Sequence, residues 1–432
     1  MKKIVAFFKK TLKLAGGIGL AYWLIATLFF GHQNIDEHTG RYSFYWSGLN
    51  ALWKKDRTFG FKSDGRVETA FEGIDGPYVI DSMVYQVTAR NQLIASVIDS
   101  THSVLIRVNN EDLDSFRVHL NPVLQPQPET SPMPEKLIAI SDIEGNFNGF
   151  YSFLVKNKVM DRNYRWIFGK GHLVLNGDFV DRGEHVTAVL WLIYHLEQQA
   201  ALAGGKLHYI LGNHEILNMY GNTSYAQYKY REAAKQISKE ADWNRANKYL
   251  YGEKSFLGRW LRSKNVMEKV GDYILVHAGL NKILVEEGIT LTQINNIAKQ
   301  YYGRNPEADS LDRAAYLILK SNHSPYWDRT LSMNIFYKIQ YFYRAPLKQI
   351  PSAQSLQDLE KVLNFYKASK IIVGHSIVGD VKADYEGQVI KIDLKHGQQK
   401  FSGKTKGLLI EKGQLYILDD LNDPSSKIPT RL

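Results

Sequence analysis

The chain has 432 residues, 44% of them apolar, 23% charged and none of them cysteine. Such a length and apolar content suit a globular protein of two or three domains rather than a disordered one, and the missing cysteines exclude disulfides, thiolate catalysis and cysteine-based zinc sites. Formal charge is +10, but Lys2, Lys3, Lys9, Lys10 and Lys13 precede any acidic residue, and the remaining excess is too dispersed to argue for nucleic acid as a partner.

The first predicted element is the uncharged stretch Leu14–Gly31, eighteen residues long, near the lower end of the roughly 17–25 that a bilayer-spanning helix needs. A signal peptide is the alternative, with an apolar core of about 7–15 residues that closes on small residues; here Leu28, Phe29 and Phe30 fill the exit. Residues 1–31 therefore read as an N-terminal membrane anchor, or as a signal peptide if processed. Lysines before the span and Asp36 and Glu37 after it predict a membrane-anchored protein with everything after the span outside the cytoplasm, periplasmic in a Gram-negative cell.

Residues 32–120 carry short alternating or β-branched runs, RVETAFE, MVYQV, SVLIRV and FRVHL, and predict a small β-rich accessory domain, a spacer or partner-binding module. Residues 121–135 hold Pro122, Pro126, Pro128, Pro132 and Pro134, a semi-rigid linker that cannot enter a sheet interior and marks a domain boundary. Residues 136–432 read as one larger α/β domain. Short apolar runs in it, Leu137–Ile140, Leu173–Leu175, Tyr209–Leu211, Ile274–Val276 and Ile371–Val373, are each closed by small or polar residues, the pattern of buried strands opening into loops. A helical insertion is expected at about 220–270, in QYKYREAAKQISKEADWNRANKYLY and SFLGRWLRSKNVMEKV, and further helices in SLDRAAYLILKS and SLQDLEKVLNFYKASK. The chain ends in β pattern, QVIKIDL, GLLIE and QLYILD, with Lys412-Gly413 predicting a hairpin.

The loops after those strands carry the chemistry. They read SDIEGN, GDFVDRG, GNHE, HAGL and GHS, and so collect Asp142, Glu144, Asp178, Asn213, His214, His277 and His375. Ligands of α/β proteins bind at that edge of a sheet. Asp178 has two carboxylate oxygens with which to bridge two divalent cations, and Arg182 a planar fork that suits phosphate. Taken singly, each motif also fits a plain structural role: an Asp-Arg surface pair, a hydrogen-bonded histidine, a turn.

In this order, the five motifs resemble the calcineurin-like metallophosphoesterase superfamily, and GDFVDRG with GNHE resembles its phosphoprotein phosphatase branch. The run FLGRWLRSKNVMEKVGDYILVHAGL is similar to the Shewanella-like phosphatases. The resemblance covers roughly residues 136–420. It implies an α/β sandwich of two mixed sheets flanked by helices, here preceded by the membrane helix and the β-rich domain. It implies two metals bridged by Asp178 and a hydroxide, one held by Asp142 and Glu144 and the other by Asn213, His277 and His375. His214 would be the general acid, oriented by Asp181, with Glu215 in support, and phosphate would lie on Arg182, Asn213, His214 and Arg329. Glu144 departs from the family, which usually has histidine there, so the first site becomes all carboxylate and favours Mn²⁺, with Fe²⁺/Fe³⁺, Zn²⁺ or Mg²⁺ as alternatives.

The expected activity is metal-dependent hydrolysis of phosphomonoesters, on a small molecule or a phosphoprotein. Hydrolysis of a nucleotide polyphosphate or phosphodiester uses the same metals and is the alternative reaction. An inactive membrane protein that binds phosphorylated ligands is the alternative of another class.

Overall fold

The computed structural model describes residues 2–30, 32–36, 41–46, 49, 61–63, 71–344, 351–421 and 430–431. They divide into two compact units, Met1–Glu68 with Ile335–Ile350, and Thr69–Asn334 with Pro351–Leu432. The first unit holds the helix Lys2–Phe30 and a three-stranded antiparallel sheet of β1 (His32–Asp36), β2 (Arg41–Trp46) and β3 (Phe61–Ser63). Within the helix, Lys9–Phe29 is long and apolar enough to cross a membrane and none of it is buried. An anchor and a signal sequence fit that observation alike. The helix Ile335–Arg344 belongs to the same unit.

The second unit opens with β4 (Asp75–Ile80), β5 (Met83–Val87) and β6 (Leu93–Val97) in one antiparallel sheet, and β7 (Ser103–Arg107) with β8 (Ser115–His119) in another. MVYQV, SVLIRV and FRVHL thus fall on strands; most of RVETAFE lies outside the described residues. These strands do not form a separate body. Val79, Val104, Ile106, Phe116 and Val118 share one apolar core with Phe147, Tyr164 and Trp191, and the Trp191 indole donates to the Pro77 carbonyl at 2.8 Å. The compact units therefore divide at residues 68–69 rather than after the proline-rich stretch. That stretch itself supplies β9 (Thr130–Ser131), an edge strand parallel to β13 (Met267–Val270), which is where a sheet tolerates proline.

Two six-stranded mixed sheets make the frame, in the orders β12-β11-β10-β18-β19-β20 and β16-β17-β15-β14-β13-β9. In the first, β10 (Lys136–Ile140), β11 (His172–Asn176) and β12 (Lys206–Ile210) run parallel, and β18 (Lys406–Glu411), β19 (Gln414–Asp419) and β20 (Thr430–Arg431) complete it antiparallel. In the second, β14 (Tyr273–Val276), β15 (Lys370–Val373) and β17 (Val389–Lys391) run parallel, with β16 (Lys382–Asp384) and β13 antiparallel to them. Alternation explains the layers. Leu137 and Ala139 point into the core between the sheets with Val174, Leu275, Ile372 and Ile390, whereas Ile138 and Ile140 face the helical layer with Phe150 and Leu190. A strand buried on both faces reads as a continuous apolar run, which is why no alternation shows in KLIAI.

The insertion forms helices Tyr228–Ser238, Trp243–Leu250 and Phe256–Arg262. Arg313–Leu319 and Leu356–Tyr366 are helical too, opened by Asp312 and Ser355 side chains that accept from the Ala315 and Asp358 amides. Lys412 and Gly413 both take positive φ, 51° and 74°, and close the predicted β18–β19 hairpin with the twist that suits it.

Candidate active site

Both sheets present the C-terminal ends of parallel strands to one cluster. The loop after β10 brings Asp142 and Glu144, that after β11 Asp178, Asp181 and Arg182, and the helix Asn213–Tyr220 that follows β12 brings Asn213 and His214 in its first turn. From the second sheet come His277 after β14 and His375 after β15. The loops are tied to one another: Asp142 and Glu144 amides donate to the Gly177 and Asp178 carbonyls at 2.9 and 3.0 Å. Six of these residues, Asp142, Glu144, Asp178, Asp181, Arg182 and His375, take φ between 49° and 67°. Left-handed backbone in side chains other than glycine is uncommon, and its concentration at one place marks a site whose geometry the surrounding fold imposes.

Glu215 fixes that geometry from beneath. Fully buried, it accepts from the amides of Asp178, Phe179 and Gly212 at 3.0, 2.8 and 2.8 Å and from the Tyr209 hydroxyl at 2.9 Å. The β11 and β12 loops are thereby locked together, the supporting role expected of it. Close packing also explains two motif glycines. A Cβ on Gly212 would stand 2.2 Å from Asp178 Oδ1, and one on Gly177, where φ is +89°, 2.3 Å from His277 Nδ1.

Among the described residues, Asp178, His277 and His375 form a group of potential metal ligands, all buried, with one donor atom of each within 4.8 Å of the others. His277 donates from Nδ1 to the Asn176 carbonyl at 2.8 Å, which leaves Nε2 facing Asp178 Oδ2 and Asn213 Oδ1, each at 3.1 Å. A ring nitrogen between two oxygen acceptors needs a proton or a cation there. His375 Nε2 is buried with no hydrogen-bond partner, another donor awaiting an electrophile. Burial disfavours the charged form of His277, yet the Asp178 carboxylate overrides it and lifts its pKa to about 10. Burial raises Asp142 to about 6 despite His277. For Asp178 burial also acts upward, but His277 and His214 outweigh it and hold the carboxyl well below its usual range. Buried carboxylates are costly without positive charge among them, and the unpartnered His375 Nε2 offers a lone pair, so the donor set fits divalent cations.

His214 lies to one side. Nδ1 meets Asp181 Oδ2 at 2.7 Å, and the other Asp181 oxygen accepts from Asn218 Nδ2 at 2.9 Å. Its Nε2 is 3.8 Å from Asp178 Oδ2 and 3.4 Å from Arg182 Nη2. Burial opposes an imidazolium here, but Asp178 and then Asp181 raise the pKa to about 9. The Tyr225 ring, from the insertion, packs edge-on against His214 with centroids 4.7 Å apart and lies 5.6 Å from Arg182 Cζ.

Two expected residues sit differently from the rest. Glu144 pairs with Arg182 through Nη1 and, like Asp142, whose Oδ2 accepts from the His375 amide at 3.2 Å, is not part of the Asp178–His277–His375 group. Arg329 donates from Nη1 to the His375 carbonyl and Ser376 Oγ, both at 2.8 Å, bracing the β15 loop. Two residues escaped the sequence reading. Asn218, one helical turn after His214, anchors Asp181. Asp393 follows β17 and is 3% exposed; its carboxyl is raised well above the usual range by burial and then by Asp142 and Glu144. Asp393 closes the run VIKID, but Leu394 follows it directly, so no small or polar loop marks it in the sequence.

A model of the calcineurin-like phosphoesterases matches residues 135–379. The chain belongs to the calcineurin-like phosphoesterase family. Members of this family bind a dinuclear divalent metal site, and among the described residues Asp178, His277 and His375 make a group that could hold a metal ion. Shewanella-like protein phosphatase 1 of Plasmodium berghei is 26% identical over 243 residues, 56% of this chain and 61% of that one. Shewanella-like protein phosphatase 2 of Arabidopsis thaliana is 34% identical over 110 residues, 26% of this chain and 27% of that one. The alignments thus span less than two thirds of these two relatives. The crystal structure of a cold-active protein-tyrosine phosphatase from a psychrophilic Shewanella matches with a TM-score of 0.66 and 27% identity, over 81% of this chain and 98% of that one. The α/β sandwich expected from the motifs is the fold observed.

Proposed function

We propose that this calcineurin-like phosphoesterase is a metal-dependent phosphatase that hydrolyses phosphomonoesters, with a phosphoprotein, phosphotyrosine included, as its substrate. The observation that carries the reading is the buried Asp178–His277–His375 group with the His214–Asp181 pair and Arg182 beside it. Likeness to a protein-tyrosine phosphatase supports the substrate class. Asp142, Glu144 and Asp178 would hold one cation, and Asp178, Asn213, His277 and His375 the other. When bound, such a pair activates water and neutralises charge on the phosphoryl group in flight.

The chain's own groups do the rest. Arg182, with Arg329, Asn213 and His214, would grip phosphate oxygens, the arginine by its planar fork. Asp181 holds His214 Nδ1–H and so keeps the ring protonated, leaving Nε2–H to protonate the departing oxygen. Tyr225 excludes water from one face of that imidazole. Oxygen donors alone at the first position favour Mn²⁺. Residues 1–31 would anchor the enzyme with residues 136–432 as the catalytic part outside the cytoplasm, supported by the exposed apolar stretch Lys9–Phe29. Turnover of a phosphotyrosine peptide and p-nitrophenyl phosphate, but not of bis-p-nitrophenyl phosphate or a dinucleoside polyphosphate, is expected. Preference for either of the last two would replace this reading with a diesterase or polyphosphate hydrolase.

A further inference from the structure

The helix Ile335–Arg344 presents an apolar face to solvent. Ile335, Phe336 and Ile339 are 74%, 64% and 49% exposed, while Tyr337, on the opposite side of the helix, is 8% exposed. Positions i, i+1 and i+4 lie within about 100° of one another on a helix, so these three form one stripe. Contiguous apolar exposure of this kind marks an interaction surface. Residues 335–350 also carry Lys338, Arg344 and Lys348 and no acidic residue. The compact unit that holds them contains the apolar helix Lys2–Phe30.

We propose that Ile335–Arg344 is an interfacial helix, its Ile335–Phe336–Ile339 face immersed at the acyl-chain boundary of the bilayer that residues 1–31 enter. The inference rests on reading residues 1–31 as an uncleaved anchor. A bilayer is the occupant that fits because an apolar stripe flanked by lysine and arginine is the composition that lies in a membrane interface. Three positive charges without a negative one suit anionic lipid headgroups, and a membrane helix in the same unit brings that surface to hand. The helix would then serve as a second membrane contact, fixing the orientation of its unit on the lipid surface as a single spanning helix does not.

Because the chain has no cysteine, single cysteines report cleanly. Full-length Phe336→Cys, Ile339→Cys, Leu20→Cys and Leu202→Cys proteins would be labelled with an environment-sensitive fluorophore and reconstituted in phosphatidylethanolamine–phosphatidylglycerol vesicles. Leu202, 89% exposed in the second unit, is the aqueous reference, Leu20 reports the anchor, and p-nitrophenyl phosphate turnover checks folding of each variant. Labels at 336 and 339 should be quenched by lipid-borne nitroxide and shielded from aqueous iodide by about fivefold or more relative to position 202, as for a helix buried at the headgroup boundary. Iodide access at 336 and 339 equal to that at 202, with position 20 quenched by lipid, would overturn the inference and leave the anchor standing. Shielding from both quenchers would show a protein contact instead and overturn it too. An aqueous label at position 20 would remove the anchor and the inference with it.

Discussion

Replacing Asp181 by asparagine removes one charge while preserving size, and the site shows what that costs. The two Asp181 oxygens accept from His214 Nδ1 at 2.7 Å and Asn218 Nδ2 at 2.9 Å. An amide offers one acceptor and one donor side, so one of those bonds is lost whichever way it turns. Burial works against a charged His214, and Asp178 and Asp181 together raise its pKa to about 9; without Asp181 that pKa falls. His214 donates only when protonated, so the basic limb of the rate profile should move to lower pH. Loss of general acid catalysis is typically about 100-fold or more for a poor leaving group, roughly 2.7 kcal/mol of barrier. The assay compares kcat on an alkyl phosphate and on p-nitrophenyl phosphate across the pH range, with metal content measured in parallel. Activated aryl esters need little protonation and should lose much less. Equal loss on both substrates, or an unmoved basic limb at normal metal content, would refute His214 as the acid held by Asp181.

Glu144→His should shift metal preference from Mn²⁺ towards Zn²⁺ or Fe²⁺ by exchanging a charged oxygen donor for a nitrogen; coincident occupancy and turnover profiles, with metals added singly to stripped protein, would leave Glu144 as the Arg182 partner only. Glu215→Gln should destabilise the fold by about 2–4 kcal/mol and weaken metal retention, because the amide nitrogen must face donors that now bond a carboxylate; urea unfolding and metal analysis check both. His396 donates from Nε2 to the Ser141 carbonyl at 2.8 Å, and burial pushes its pKa down to about 4. Its folded pKa is depressed, so its contribution to stability is full above the unfolded value of about 6.5 and drains as pH falls towards 4, a loss of about 2 kcal/mol between pH 7.5 and pH 5. The pH dependence of unfolding should be shallower by that amount in His396→Gln.

Much of the site was legible because each parallel strand is a short apolar run cut off by its functional loop. Asp178, His277 and His375 come from three such ends far apart in sequence, and the parallel pairing that gathers them is implied by strand runs separated by helices. Asp393 was hidden because Ile392 and Leu394 on either side make it look like the middle of a strand. Asn218 was hidden because its role depends on helical spacing from His214 and on a loop thirty-seven residues earlier. The compact units divide at residues 68–69, away from the proline-rich stretch, for a different reason. Proline density shows where a sheet interior cannot be, but Thr130 and Ser131 pair at an edge, and the shared core of Val104, Phe116 and Phe147 depends on packing that local pattern does not carry.

The central claim is that catalysis depends on divalent cations at the Asp178–His277–His375 cluster. The most direct test strips the full-length protein with a chelator, restores single metals, and measures bound metal per chain together with p-nitrophenyl phosphate turnover, beside Asp178→Asn treated alike. Activity that vanishes on stripping, returns as the stoichiometry rises to about two per chain, and fails to return in Asp178→Asn is the predicted result. Full turnover by metal-free protein, or an Asp178→Asn protein as active as the parent, would contradict the account.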